Sequence, residues 1–451
     1  MNAHALDSGL YRNQFGTEEM RSIFSDVRTV QTWLDVEAAL ARAEARVGLI
    51  PPAAAQAITE SARVELIDLE VLKREVDLTS HPLMPLITQF AEACPGGWGE
   101  YVHWGATTQD IMDTATVVQI REAMAVIDRQ VGELLALLAK LAHRHRATPM
   151  AGRTHGQHAL PITFGFKLGV LIAELLRHRH RLAGLRPRVL VGQLSGATGT
   201  LAALGEHGLA VQREFVEELD LAAPAIAWHS SRDSFAEFVC VAAMIGATCA
   251  KAASEVILLQ KTEVGELEEP NTEQSIGSST MPQKRNPMVC EAIVAIGRIL
   301  RQQPALAIDC MVQQHERDMS AWQAEWQFIP ETAILLAGAL EQTRRVFAGL
   351  AVRPDRMAHN LHLTEGLINA EAVMIALAPS IGRQRAHAVV GRAARQSFEE
   401  RQPFVACLMT EPEVSAHLGA DDIERLLKPD AYLGDSIGAV DRLLVGVEHA
   451  L

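Results

Sequence analysis

Residues 233–263 constrain this chain more than any other stretch. They hold no proline and one glycine, Gly246, and are largely apolar. As one helix they would run roughly 45 Å, at about 1.5 Å per residue. Four more patterns of this kind cover 117–147, 162–185, 288–313 and 325–350. Five long helices with short or medium links can only pack side by side, so the spacing predicts an all-α fold with a central five-helix bundle. The apolar residues cover more than one stripe, as Val239, Val241, Ala242, Ile245, Ile257 and Leu258 show. That much apolar surface predicts burial against another subunit as well as within the chain. Three consecutive regions follow: a helical domain over 1–108, the bundle over 109–353, and shorter helices over 354–451, beyond Pro354. No strong period-2 strand run, internal repeat or low-complexity tract interrupts this pattern.

Composition narrows the function. Aromatics make up 5% of the 451 residues, while alanine and leucine abound, which favours helices over sheets. The formal net charge of −14 argues against nucleic-acid binding. An acidic protein that holds an anionic substrate must gather its cations locally. The six cysteines are scattered without a CxxC spacing, so neither a zinc site nor a redox pair is expected. No basic leader precedes an apolar run, and no uninterrupted apolar run reaches about 18 residues. The chain reads as cytoplasmic, with no membrane span.

One loop concentrates the needed cations. Gly277-Ser278-Ser279-Thr280-Met281-Pro282-Gln283-Lys284-Arg285-Asn286-Pro287 lies between two long helical patterns, and its glycine and prolines preclude a regular helix. It offers hydroxyls, backbone N–H donors and two cations, which suit a carboxylate or a developing enediolate. A second segment, Gly152-Arg153-Thr154-His155-Gly156-Gln157-His158, stands between helices just before Pro161. A third, His103-Trp104-Gly105-Ala106-Thr107-Thr108-Gln109-Asp110, opens a helix with two hydroxyls and an amide, an end suited to anions. Two weaker segments, Trp228-His229-Ser230-Ser231-Arg232-Asp233 and His315-Glu316-Arg317-Asp318, are charged enough to be solvated turns or to add a cation to the site.

Taken together, these three motifs resemble the signatures of the fumarase/aspartase superfamily, in the branch of adenylosuccinate lyases and 3-carboxy-cis,cis-muconate cycloisomerases. The likeness spans nearly the whole chain, including Phe24-Ser25-Asp26 and Leu34-Asp35-Val36-Glu37-Ala38-Ala39-Leu40. It implies a three-domain fold, a homotetramer with a twenty-helix core, and sites shared between subunits. It implies β-elimination on a succinyl unit through an enediolate, with release of fumarate and with no metal or organic cofactor. Ser278 would take the proton beside a carboxylate. Thr107, Thr108, Gln109, Ser279, Lys284 and Asn286 would hold carboxylates and the enediolate, joined by Gln157 and Arg232. His103 matches the proton donor of adenylosuccinate lyases. His155 matches a substrate-contacting histidine held by a glutamate thirteen residues beyond the loop serine, which falls on Glu291. Such a carboxylate orients an imidazole and favours its charged form.

Within the superfamily the texture is similar to bacterial cycloisomerases at Arg21-Ser22-Ile23-Phe24-Ser25-Asp26, Gln157-His158-Ala159 and Trp322-Gln323-Ala324-Glu325-Trp326. Those enzymes carry tryptophan in place of His155 and a small apolar residue in place of Glu291. The pair present here resembles the fumarate-releasing lyases. The stretch after Glu316-Arg317 lacks the cations a nucleotide phosphate needs, which argues against adenylosuccinate. The expected activity is therefore cleavage of a carbon–nitrogen bond, ahead of carbon–oxygen, in a small succinyl compound. The rivals are muconate cycloisomerisation on the same scaffold and a non-catalytic structural role, as lens crystallins of this superfamily have.

Overall fold

The computed structural model describes residues 4–271 and 280–450. The chain is all-α, and its long helices run over Thr108–Arg144, Phe164–Val189, Asp233–Gln260 and Met319–Ala348. The fifth expected helix is divided into Met288–Leu300 and Gln303–Asp309. The division precedes Pro304, which has no N–H to continue the ladder. Near the N-terminus a short and a long piece of helix run over Glu18–Ile23 and Asp26–Val47. Ser25 caps the second piece, its Oγ accepting from the Arg28 N–H at 3.3 Å. Gly48 ends it in a left-handed conformation at φ 83°.

By its contacts the chain forms two compact units. The first holds residues 1–131, 178–250 and 292–341; the second holds 132–177, 251–291 and 342–451. Neither unit follows a single stretch of sequence, because the division cuts through the long helices. In the second unit the helices Ala370–Ile381, Arg383–Glu400 and Phe404–Thr410 close a core around Val373, Leu377, Val389, Phe404 and Leu408.

Two features differ from the sequence reading. Pro149–Thr154 and Gln157–Thr163 pair as an antiparallel hairpin, and Leu267–Glu268 pairs with Ala351–Val352. These strands are too short, and the hairpin too mixed in burial, to give a period-2 signal. Secondly, Asp233–Gln260 is long and apolar enough by length and composition to cross a membrane. However, 72% of its most apolar window is buried, as befits a core helix. Five of the six cysteines are buried.

Candidate active site

In the first unit, the third motif is organised around Asp110, which is fully buried. Thr107 precedes the helix Thr108–Arg144, and the Asp110 carboxylate reaches back to accept its N–H at 3.0 Å, as in a capping box. The same carboxylate accepts the N–H groups of Ser195 at 3.0 Å and Gly196 at 2.9 Å. His229 Nε2 stands 2.8 Å from its other side. One buried carboxylate thus fixes the Thr107-Thr108 end, the 195–196 turn and His229 together. Gly196 has φ 75°, and this tight approach of backbone N–H groups suits a residue without a side chain.

Gln109 is 1% exposed, and its amide donates to the His229 carbonyl at 3.0 Å and accepts from Arg317 Nε at 2.7 Å. Arg317 also donates to the Ala197 carbonyl at 3.1 Å. Gln109 therefore braces the cluster, with its polar atoms already engaged. Thr107 and Thr108 are half-buried, at the positive end of a 37-residue helix.

His103 stands beside this end with a left-handed backbone at φ 61°, uncommon for a residue other than glycine. Its Nδ1 lies 2.6 Å from Glu37 Oε1, and Glu37 is 1% exposed. Burial pushes the imidazole toward its neutral form, but the Glu37 charge and hydrogen bond outweigh it, with help from Asp110, and raise the His103 pKa. His81 joins the group. Its Nδ1 accepts the Met84 N–H at 3.1 Å, so its Nε2 carries the hydrogen facing Thr108 Oγ1 at 3.3 Å. Burial, and then the neighbouring His103, lower the pKa of His81. The result is two histidines with pKa values shifted in opposite directions beside paired hydroxyls.

In the second unit, His155 and Gly156 form the two-residue tip of the hairpin, between Thr154 and its partner Gln157. Both have positive φ, 53° and 75°, as a type I′ turn requires. His155 and Gln157 are exposed. Arg153, two residues before the tip, makes a bidentate pair with Glu266 at 2.6 and 3.0 Å. Asn360 donates to the same carboxylate at 2.8 Å.

The stems of the signature loop are tied down nearby. Glu268 pairs with Arg285 at 2.5 Å, and Gln260 Nε2 donates to the Arg285 carbonyl at 3.2 Å. Glu269 caps the helix Met288–Leu300, accepting the Val289 and Cys290 N–H groups at 3.3 and 3.0 Å. Arg285, named with the loop's cations, is therefore a stem residue. Lys284 is exposed and Asn286 half-buried. Glu291 is exposed in the first turn of that helix. Among the described residues no ion pair joins it to His155. Ser278 and Ser279 lie outside the described residues.

Arg232 departs from the expectation that it faces substrate. It is 2% exposed, and its guanidinium grips Asp113 at 2.7 and 3.0 Å and Glu325 at 2.9 Å. The rings of Trp228 and Phe235 lie 5.1 and 4.8 Å from its centre. Its donors are spent inside the first unit, where it neutralises two buried carboxylates. Four contributors went unnamed at sequence level: His81, Glu37, Asp110 as a hub, and the turn at 195–196. A signal existed for Glu37, a charge at a stripe position between Leu34 and Ala41. Another existed for the turn, in the serine and two glycines of Ser195-Gly196-Ala197-Thr198-Gly199.

The sequence pattern of the lyase family matches residues 12–300, and that of the adenylosuccinate lyase C-terminus matches residues 366–443. The chain belongs to the fumarase/aspartase superfamily of lyases. Two relatives and one solved structure show how the superfamily varies around this chain. The 3-carboxy-cis,cis-muconate cycloisomerase of Pseudomonas aeruginosa is 44% identical, over 98% of this chain and 97% of the relative. The N-acetyl-S-(2-succino)cysteine lyase of Dickeya dadantii is 40% identical, over 98% of each. The crystal structure of a fumarate lyase from Mesorhizobium sp. BNC1 is 43% identical, with a TM-score of 0.90, over 96% of this chain and 98% of that one. These superfamily members include both lyases and cycloisomerases, and one of the lyases is named for a sulfur-linked succinyl group.

Proposed function

We propose that this superfamily member is a fumarate-releasing lyase that eliminates a heteroatom group from a small succinylated compound. The observation that carries the reading is the His103–Glu37 contact beside Thr107 and Thr108. An amine or thiolate leaving group needs a proton, and a histidine whose charged form is favoured by a buried carboxylate is a ready donor. Thr107, Thr108, Lys284 and Asn286 would hold the two carboxylates, and Ser278 would remove the proton from the carbon beside one of them. The enediolate would rest against loop N–H donors and Lys284. The leaving atom is nitrogen, ahead of oxygen, and the N-acetyl-S-(2-succino)cysteine lyase relative extends the range to sulfur; the His155 and Glu291 positions favour a fumarate-releasing lyase over a cycloisomerase. His155 and Glu291 would meet across subunits of a homotetramer, since one chain presents both to solvent without pairing them among the described residues. A cytoplasmic setting accords with cysteines scattered without a CxxC spacing.

Assay of N-succinyl amino acids and S-(2-succino)cysteine derivatives for fumarate, beside a Ser278→Ala control, tests this. Turnover by the wild type, with kcat lower by about 10²–10⁴-fold in the control, supports the reading. A fully active Ser278→Ala enzyme removes the loop serine from the base role.

A further inference from the structure

Glu37 and Glu44 lie seven residues apart on one face of the helix Asp26–Val47, among Leu34, Leu40 and Ala41. Both are essentially inaccessible, at 1% and 0% exposure. Glu37 Oε2 and both Glu44 oxygens lack a hydrogen-bond partner. A buried carboxylate with one hydrogen bond is costly, and an apolar residue would pack the same stripe better. The fold does not need Glu37; the geometry of His103 does. From this geometry, and resting on the lyase reading above, we infer that Glu37 is a positioning residue that locks His103 with Nδ1–H on the carboxylate and turns Nε2 to the leaving group.

The tautomer follows from the contact. A carboxylate can only accept, so Nδ1 carries the hydrogen at 2.6 Å. Nε2 has no partner among the described residues and is the atom left for chemistry. A hydrogen bond from one ring nitrogen fixing the role of the other is the logic of a catalytic triad. Three titratable groups face the ring from the elements around it: Glu37 on its own helix, Asp110 on Thr108–Arg144, and His81 between Leu69–Thr79 and Met84–Ala93. Glu44 stands behind Glu37. Burial, then repulsion from Glu37, pushes its carboxyl up to about 9, so it stays neutral at neutral pH. The assignment also separates the two histidines, since His155 has no carboxylate partner among the described residues.

The test uses the full-length enzyme labelled with ¹³C at the histidine Cε1. The signal lost in His103→Asn identifies His103. Its titration and the pH profile of kcat/KM for fumarate release are then compared in wild type, Glu37→Gln and Glu37→Asp. The expected result in Glu37→Gln is a fall of about 1–3 pH units in the His103 midpoint, with the alkaline limb of kcat/KM moving down equally. Glu37→Asp, which keeps the charge on a shorter arm, should recover most of both, and Glu37→Met, which removes the carboxylate at similar volume, should show the same fall as Glu37→Gln and carries the test if the glutamine variant does not fold. An unmoved His103 midpoint in the glutamine or methionine variant overturns the inference. So does a midpoint that falls while the kcat/KM limb stays in place. The titration needs no substrate, so failure to find a fumarate-yielding compound would count against the lyase reading alone.

Discussion

Arg153 and Glu266 form a bidentate ion pair, at 2.6 and 3.0 Å, that joins the hairpin carrying His155 to the segment from which the signature loop departs. Glu266 is fully buried, so its charge depends on Arg153 and Asn360. Arg153→Met should therefore lower the folding stability by about 3 kcal/mol, the range for breaking a buried pair from one side. It should also cut kcat, because the His155 tip loses its anchor. Urea unfolding followed by circular dichroism, with turnover on the same samples, checks both. An unchanged midpoint would mean the pair adds nothing to the fold.

Arg232→Met separates a packing role from a substrate role. It leaves Asp113 and Glu325 buried without their common cation. The expected outcome is a loss of about 3–5 kcal/mol in stability, visible as a large drop in Tm. A variant with wild-type Tm and a raised KM would return Arg232 to the list of substrate contacts.

Glu44 makes the protein less stable as pH rises. Its folded pKa, about 9, lies above the ordinary carboxyl value. The neutral form is favoured by the fold, so full stability is present below pH 4.5 and is lost progressively as pH climbs toward 9. Glu44→Met removes the ionisable group at similar volume. It should raise Tm at pH 8 by several degrees, from a gain on the order of 1–3 kcal/mol, and flatten the alkaline decline. Equal Tm–pH curves for both proteins would show that Glu44 is ionised at no cost.

Much of this architecture is legible in sequence because long helices announce themselves through composition and spacing. The stretch 233–260 contains no proline, and Pro354 stands at a helix boundary where expected. The hairpin is less visible. Its register rests on the turn at His155-Gly156, and a histidine with positive φ gives no compositional warning. At the site, His103, Thr107 and Thr108 share one contiguous motif that sequence can single out, while the partners supplied from elsewhere carry no such signature. Glu37, 66 positions from His103, is identified only by the contact. Arg232 misled because a cation beside a helix start reads the same whether it faces solvent or two buried carboxylates.

The proposed sharing of sites between subunits has its own consequence. Ser278→Ala and His155→Ala proteins should each be inactive. Mixed and allowed to exchange subunits, they should regain part of the wild-type activity, because some sites then combine intact motifs from different chains. Mixed tetramers that form and stay inactive would place each complete site within one chain.

The central claim is elimination with release of fumarate, and product stoichiometry tests it most directly. Purified enzyme is incubated in parallel with N-succinyl amino acids, an S-(2-succino)cysteine derivative and 3-carboxy-cis,cis-muconate, and the products are followed by proton NMR. The account predicts fumarate and free amine or thiol in equal amounts from a succinylated compound, with no lactone from the muconate. Lactone formation from the muconate, undiminished in His155→Trp and without fumarate from any succinylated compound, would contradict it and make the protein a cycloisomerase.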